Sequence, residues 1–310
     1  MDGTRQDMIN GIMNVYKEKG FTSHDVVAKL RGICKQKKIG HTGTLDPDAE
    51  GVLPVCFGNA TKLCDMLTDQ KKEYEAEFIL GVTTDTQDIS GTVQRKREVT
   101  TTKKALEEAI MSFLGWYDQI PPMYSALKVN GKRLYELARE GKEVERKARK
   151  VNILSIDILD IMLPKFRIRV TCSKGTYIRT LGSDIGEKLG CGATMTSLLR
   201  TRVGNFKVED ALTLAHIEDL RDANELLLRV VMVESLFEQL RRATVKSEYR
   251  NYIDNGNKLF QNQLYENCKW IPAEQIRIYN DDDIFCGIYE YESCGNVFKP
   301  VKMFPNTPKP

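Results

Sequence analysis

The residues best suited to chemistry lie in one loop-like segment, 38–53, which reads KIGHTGTLDPDAEGVL. Its central carboxylate, Asp46, precedes Pro47, and a proline disfavours helical geometry in the residue before it. Gly43 can take positive φ and bring the backbone close to a ligand, so we expect it to leave room for a substrate. Two interpretations of Asp46 stay open: a nucleophile or base fixed on a loop, or the side chain of an Asx turn.

Three other polar residues of this segment could share its chemistry. His41 can stack on a base or bind a phosphate, or it can serve only to stabilise the loop. Asp48 and Glu50 could supply the second carboxylate of a glycoside hydrolase, although their positions do not fix the separation that this reaction needs. The segment lacks the GK[ST] signature of a phosphate-binding P-loop. The three histidines and eight cysteines show no metal-ligand spacing, so we expect no metal site.

Two tyrosines and an arginine elsewhere are further candidates. Tyr74 stands at the first apolar position of an alternating segment, and Tyr177 precedes a helical pattern. An aromatic at such a place is often core, but RNA-binding proteins also hold unstacked bases on aromatic faces. Arg179 falls at the opening of the helix, where the helix dipole does not favour a cation. A carboxylate or a phosphate is therefore the expected partner of Arg179.

Hydrophobic periodicity predicts the elements that must position these residues. The period of two from residue 71 onward indicates a half-buried strand that contains Tyr74. The patterns predict strands at 11–18, 52–57, 151–171 (two segments) and 193–206, and helices at 22–34, 60–69, 101–115, 175–190, 213–220 and 224–242. Residues 119–142 begin extended, turn at Asn130-Gly131 and continue as a helix, and short β segments separated by turns follow beyond residue 240. We expect an α+β fold with a mixed, mainly antiparallel central sheet flanked by helices, followed by a small β-rich domain.

Composition limits the class of protein. The chain has 310 residues, of which 41% are hydrophobic and 29% charged, as in globular proteins with a sizeable core. No apolar stretch is long enough to span a bilayer, and residues 1–20 carry charges where a signal peptide needs its apolar core. We therefore expect a cytoplasmic protein. A change of composition near residue 240 predicts two domains, 1–240 and 241–310.

The distribution of basic residues favours a polyanionic partner. Net charge is only +3, but lysine and arginine are concentrated in four runs, at 35–38, 95–97, 128–133 and 145–150. Any one run could be an ordinary solvated face. Together they favour nucleic acid, because phosphate contacts need several separated cationic patches.

Five sequence blocks, in order, resemble the TruB family of tRNA pseudouridine synthases. They are GHTGTLDPDAEGVLPVCFGNATK (40–62), KKEYEAEFILGVTTDTQDISG (71–91), PPMYSALKVNGKRLYELAR (121–139), CSKGTYIRTLGSDIGEKLGCGA (172–193) and LLRTRVGNF (198–206). The similarity spans roughly residues 11 to 215. The tail resembles the PUA-type RNA-binding module of bacterial members.

The resemblance implies a role for each candidate. Asp46 matches the catalytic aspartate, and Tyr74 matches the tyrosine that stacks on the target base and takes part in proton handling. Tyr177 and Arg179 match a second pocket aromatic and the arginine that pairs with the aspartate. The RNA-binding matches are His41, which fills space left by displaced bases, Leu198, an apolar pocket wall, and Lys62 and Lys128 within their blocks.

The implied reaction is isomerisation of uridine to pseudouridine at position 55, in the TΨC loop of tRNA. It needs no cofactor, and we expect a monomer without an obligate protein partner. An RNA-binding or RNA-folding protein without chemistry is the alternative from another class. A glycosidase, which would release a free base, is a third.

Overall fold

A mainly antiparallel sheet is the largest element of the computed structural model, which describes residues 8–129 and 131–304. The strands are β1 Gly11–Lys17, β2 Ile39–His41, β3 Glu50–Phe57, β4 Lys72–Leu80, β5 Val82–Thr84, β6 Val93–Lys96, β7 Gly115–Gln119, β8 Lys128–Val129, β9 Lys132–Arg133, β10 Arg149–Met162, β11 Lys165–Cys172, β12 Ala193–Val203, β13 Phe206–Lys207, β14 Arg241–Thr244, β15 Leu259–Phe260, β16 Gln275–Tyr279, β17 Phe285–Glu292 and β18 Val297–Met303. The helices are α1 Ser23–Ile33, α2 Cys64–Thr68, α3 Lys103–Met111, α4 Leu134–Arg139, α5 Ile178–Lys188, α6 Leu214–Asp222 and α7 Arg250–Asp254. None of these helices is long and apolar enough to cross a membrane.

The strand order of the central sheet places the end of the candidate loop beside β12. Among the described residues nine strands form this sheet, in the order β1-β3-β12-β4-β11-β10-β7, with β2 paired to β3 and β13 to β12. The ladders are antiparallel except for β3 and β12, where Glu50 and Gly51 lie opposite Leu199 and Arg200. The expected α+β class, with a mainly antiparallel sheet flanked by helices, is confirmed.

Local sequence signals explain the elements that form as predicted. Thr22 caps α1, and the side chain of Asp25 accepts a hydrogen bond from the Thr22 N–H, which completes a capping box. Along β4 every second residue is buried, from Lys72 to Leu80, as the alternation predicts. Tyr74 consequently points into the core between β4 and its neighbours.

The prediction of a helix at 224–242 is wrong. Two short 3-10 turns, Leu226–Arg229 and Val233–Phe237, occupy this stretch, and β14 follows. Val231 instead forms a bridge to β1, with backbone hydrogen bonds of 2.8 Å in both directions between Val231 and Ile12. Three β-branched valines, at 230, 231 and 233, disfavour a helix here, and pairing with the edge strand β1 supplies an alternative. The helix at 101–115 is also shorter than expected, because Gly115 begins β7.

Close packing fixes α5, the helix that carries Arg179, against the central sheet. Gly182 faces the ring of Phe78 on β4 so closely that any side chain there would clash with the ring. Phe78 in turn stacks on Phe166 of β11 at a ring-centroid distance of 5.0 Å. Leu181 and Ile185 of the same helix are fully buried in this cluster. The first turn of α5 therefore has a fixed height above the sheet.

The C-terminal residues form a separate five-stranded sheet in the order β14-β16-β17-β18-β15. Part of this sheet packs against the central one: Tyr279, Phe285 and Phe304 share a hydrophobic cluster with Ile12 and Val52. The two sheets are therefore distinct in hydrogen bonding but joined by a common apolar core.

Candidate active site

Asp46 lies on the loop 42–49 between β2 and β3, here called the Asp46 loop, and a buried lysine holds its turn. Lys17, at the end of β1, is 0% exposed, and its Nζ donates to the carbonyls of Pro47 at 3.0 Å and Ala49 at 2.5 Å. The Ala49 N–H donates to the carbonyl of Asp46 at 3.1 Å. The backbone and Lys17 therefore close the turn, and the Asp46 carboxylate is left for another partner.

That partner is Arg179. Its Nε lies 2.9 Å from Oδ2 of Asp46, and its Nη2 donates to Oδ1 at 3.2 Å, so the two planar groups meet side by side. The same guanidinium donates to the carbonyls of Thr86 at 2.8 Å and Tyr124 at 2.9 Å, and its Nη1 lies 3.6 Å from Asp88 Oδ2. These contacts fix the direction of the Asp46 carboxylate.

The electrostatics of Asp46 suit a reactive carboxylate. Burial is the largest influence and raises the pKa of Asp46; the Arg179 guanidinium opposes it, and the neighbouring Asp88 carboxylate adds to the rise. The side chain is nevertheless 39% exposed, so a substrate can reach it. A raised pKa makes the carboxylate a stronger base than an ordinary aspartate, and its partner cation keeps it oriented.

Tyr74 and Leu198 line the apolar side of this site. Both belong to one buried cluster, which also includes Leu45 of the Asp46 loop. Burial raises the pKa of the Tyr74 phenol to about 12, and the charge of Arg200, with a hydrogen bond between the two side chains, opposes the rise. Tyr74 is therefore a neutral phenol beside a permanent cation.

Tyr177 joins the site as the residue that precedes α5. Gln119, at the end of β7, accepts from the Tyr177 N–H at 2.8 Å and donates to its carbonyl at 3.0 Å. The amide of Gln119 is almost completely buried, so this pair of hydrogen bonds has no competition from water. Gln119 therefore fixes the backbone two residues before Arg179.

Arg200 is a fully buried arginine beneath the loop. Its Nε donates to the carbonyl of Val52 at 2.7 Å, and its Nη2 and Nη1 donate to the carbonyls of Gly43 at 3.2 Å and Thr44 at 3.4 Å. A Cβ on Gly43 would point toward Arg200 and Lys72, because its nearest neighbours would be Nη1 of Arg200 and Cε of Lys72. These distances, 3.6 Å to Cε and 4.0 Å to Nη1, are ordinary van der Waals contacts, so the φ of +113° is what favours glycine here. That Gly43 leaves room for a substrate stays a prediction.

His41 stands at the end of β2 with a neutral ring. Its ring packs edge-on against His24 of α1 at a centroid distance of 5.2 Å. Burial, together with the charges of His24 and Arg200, lowers the pKa of His41 to about 4. Its Nδ1 is buried and has no hydrogen-bond partner among the described residues. A backbone hydrogen bond with Gly43 opposes the fall of the His41 pKa.

A cavity of about 760 Å³ adjoins the site on the far side of Arg179. Tyr124 and Gln87 line it, and Arg95 and Arg146 bring two of the basic runs to its wall. Arg146 donates to the carbonyl of Pro121 at 3.2 Å, while its Nε is buried without a partner among the described residues. The cavity is polar and open, and its charged lining is mixed: Arg95, Lys142 and Arg146 on the basic side, and Asp85, Glu143 and Glu187 on the acidic side.

Two expected RNA-binding lysines lie elsewhere. Lys62 donates to the carbonyl of Met303 in β18 at 3.0 Å, and so links the central sheet to the C-terminal one. Lys128 is exposed on the β8–β9 hairpin, opposite Arg133. Neither has a contact with Asp46 or Arg179 among the described residues, and their roles stay predictions.

Sequence reasoning missed four residues that shape the site: Lys17, Asp88, Gln119 and Arg200. Each acts through a partner far away in sequence; Thr44 and Arg200, for example, are separated by 156 positions. The sequence did contain one signal for Arg200. Alternate residues of a strand face the same side, so Arg200, two positions after the buried Leu198, is expected to point inward as well. Lys17 stands beside Glu18 and Lys19 and resembles an ordinary solvated strand end.

Comparison with known proteins gives one consistent family. Residues 31–178 match the family described as TruB family pseudouridylate synthase (N terminal domain), and residues 179–238 match the tRNA pseudouridylate synthase B C-terminal domain. The chain is 54% identical over 311 residues to tRNA pseudouridine synthase B of Lachnoclostridium phytofermentans, covering 96% of this chain and 100% of that protein. It is 47% identical over 271 residues to the protein of the same name from Alkaliphilus oremlandii, covering 87% and 90%.

Solved structures agree with this result. A Cbf5-Nop10-Gar1 complex contains a chain that is 27% identical, with a TM-score of 0.70, over 95% of this chain and 84% of that one. An H/ACA RNP bound to a substrate RNA containing 2'-deoxyuridine gives 25% identity and a TM-score of 0.69 over the same shares. The family profiles, the identities and the shared fold lead to one conclusion: the chain belongs to the TruB family of pseudouridine synthases.

Proposed function

We propose that this pseudouridine synthase isomerises the uridine at position 55, in the TΨC loop of tRNA, with Asp46 as the reacting carboxylate. The observation that carries the proposal is the side-by-side pair of Asp46 with a buried Arg179. A carboxylate can attack a carbon of the ribose or take a proton from it, and either action needs the ionised and aimed group that this pair provides. The two relatives described above are also named for tRNA as the substrate.

The reaction breaks the N-glycosidic bond, rotates the uracil within the site and rejoins it to the ribose through C5. The uridine must first leave its loop, at a cost of a few kcal/mol. Stacking on an aromatic side chain returns about 1–3 kcal/mol per base. Tyr74 and Tyr177 are the aromatic residues proposed to hold the base, and Leu198 forms the apolar wall beneath it.

The surroundings of the site suit the T-arm of a tRNA. The cations at the wall of the 760 Å³ cavity, Arg95 and Arg146, would bind phosphates without reading sequence. His41, at the end of β2 beside the Asp46 loop, is proposed to fill the space left by displaced bases of the RNA loop. We assign residues 1–240 to catalysis and 241–310 to an accessory PUA-like RNA-binding domain, and we expect a cytoplasmic monomer without an obligate protein partner.

One assay separates this function from its alternatives. The protein is incubated, without added cofactor, with a T-arm transcript whose uridines are labelled in both base and ribose. The digested RNA and the small molecules released are both analysed by chromatography and mass spectrometry. Pseudouridine at position 55 is expected, and a transcript with cytidine at that position is the control. Binding without product would favour an RNA-binding protein, and release of free uracil would favour a glycosidase.

A further inference from the structure

The side chain of Arg200 connects the Asp46 loop to Tyr74. On β12, Arg200 lies directly opposite Tyr74 of β4 on one side and Gly51 of β3 on the other. It is the largest fully buried side chain among the described residues. Its guanidinium thus occupies the space between the aspartate-bearing loop and the tyrosine of the base pocket.

The hydrogen bonds of Arg200 hold both ends of the loop. Gly43 and Thr44 precede Asp46, and Val52 follows it, and the carbonyls of all three accept from the same guanidinium. Gly51 has a φ of +106°, and any side chain there would clash with the backbone of Arg200. The loop is therefore closed over Arg200 at both ends, with Asp46 between the two anchors.

Tyr74 lies directly opposite Arg200 across the β4–β12 ladder, and its phenol interacts with this cation. Burial lowers the pKa of Arg200, and the hydrogen bond to Tyr74 opposes that effect. An arginine nevertheless keeps its charge in proteins, so the phenol oxygen always faces a full positive charge. A buried cation without a carboxylate partner is costly, and proteins keep such groups where a special arrangement requires them.

We propose that Arg200 is a positioning residue of the reaction, which sets the Tyr74 phenol and the Asp46 loop in one arrangement and favours negative charge on the phenol oxygen. The proposal rests on the pseudouridine synthase function proposed above. Arg200 does not touch the substrate in this proposal; it acts through Tyr74 and through the loop carbonyls. If Arg200 only stabilised the fold, replacing it would slow the reaction by the same factor whether residue 74 is tyrosine or phenylalanine.

A double-mutant cycle distinguishes these two roles. Single-turnover rates of pseudouridine formation in tRNA are measured for the wild type, Arg200→Met, Tyr74→Phe and the double variant. A hydrogen bond to a charged group corresponds to about tenfold to a hundredfold in rate. Arg200→Met should therefore slow the wild type by about a hundredfold, but its effect should be about tenfold smaller in the Tyr74→Phe background. Equal effects in the two backgrounds would overturn the proposal.

The matched control is Arg202→Met. Arg202 lies two residues away on the same strand, but its side chain is 43% exposed and pairs with Glu73. We expect this variant to keep the wild-type rate. If Arg200→Met does not fold, the cycle is repeated with Arg200→Lys, which keeps the charge and loses the planar fork.

A second measurement is used if the Tyr74→Phe variant reacts too slowly for its rate to be measured. In protein labelled with 13Cζ-tyrosine, the Tyr74 signal is assigned by its absence in Tyr74→Phe. It should shift in the Arg200 variant and stay in place in Arg202→Met; an unchanged signal in the Arg200 variant would also overturn the proposal. A wild type that forms no pseudouridine would refute the proposed function instead, whatever the signal does.

Discussion

Replacing Arg179 with lysine probes the geometry of the site without removing its charge. The guanidinium makes five polar contacts: two with Asp46, one each with the carbonyls of Thr86 and Tyr124, and one with Asp88. An ammonium has three hydrogens and no planar fork, so at least two of these contacts are lost. At about 1.5 kcal/mol for each hydrogen bond to a charged group, the loss is about 3 kcal/mol.

A loss of about 3 kcal/mol in the transition state corresponds to roughly a hundredfold lower kcat. The assay is single-turnover pseudouridine formation with enzyme in excess, with tRNA affinity measured separately by filter binding. Affinity should change little, since the contacts of Arg179 lie within the enzyme. Arg169→Lys is the matched control, because Arg169 also meets a carboxylate, Glu75, through Nε and Nη2, but on the exposed face of the sheet. Such an exposed pair contributes about 1 kcal/mol or less. Equal rates for Arg179→Lys and Arg169→Lys would refute the reasoning.

Three further predictions concern the stability of elements that hold the site, each measured by urea unfolding. Burial raises the pKa of Asp184 from 3.8 to about 6, so the folded protein loses stability as pH rises from about 4 to about 6 and Asp184 ionises. Asp184→Asn should therefore raise the free energy of unfolding by up to about 3 kcal/mol at pH 7.5 and leave it unchanged at pH 4. An equal gain at both pH values would contradict this. Gly51→Ala should prevent folding or lower the free energy of unfolding far more than Gly20→Ala does. Gly20 also has a positive φ, but a Cβ there would meet no other atom, so only the backbone strain of about 1–2 kcal/mol is expected. Similar losses of stability in the two variants would argue against the close approach of Gly51 to Arg200. Gln119→Leu leaves the N–H and the carbonyl of Tyr177 unpaired, which should lower the free energy of unfolding by about 1–3 kcal/mol for each group and also lower kcat. An unchanged unfolding midpoint and an unchanged kcat would show that Gln119 does not hold Tyr177.

The fold was predictable where one local signal decides the structure. The capping box at Thr22 and the alternation along β4 belong to single elements, and both elements form as expected. The helix prediction for 224–242 failed because the apolar spacing suits a helix, while Val231 pairs with Ile12 of β1, more than 200 residues away. The hydrophobic pattern of a local segment carries no information about such a distant partner strand.

The same distinction applies to the site. Asp46, Tyr74 and Arg179 stand out through residue type and position, and the resemblance to a family gave each a role. The contacts that hold them come from Lys17, Asp88 and Arg200, whose partners are backbone carbonyls or a shared guanidinium. Carbonyl acceptors leave no trace in residue type, so these supports became visible only in three dimensions.

The central claim is that the Asp46 carboxylate does the chemistry, and Asp46→Asn tests it most directly. Asparagine keeps the shape of the side chain and can still accept from Arg179, which also retains Asp88 nearby. Asp48→Asn, on the exposed side of the same turn, is the control for any general effect of altering the loop. The measurement is pseudouridine at position 55 of tRNA after incubation with excess enzyme. The account predicts unchanged tRNA binding but no product for Asp46→Asn, and full activity for Asp48→Asn; pseudouridine from Asp46→Asn at a near wild-type rate would contradict it.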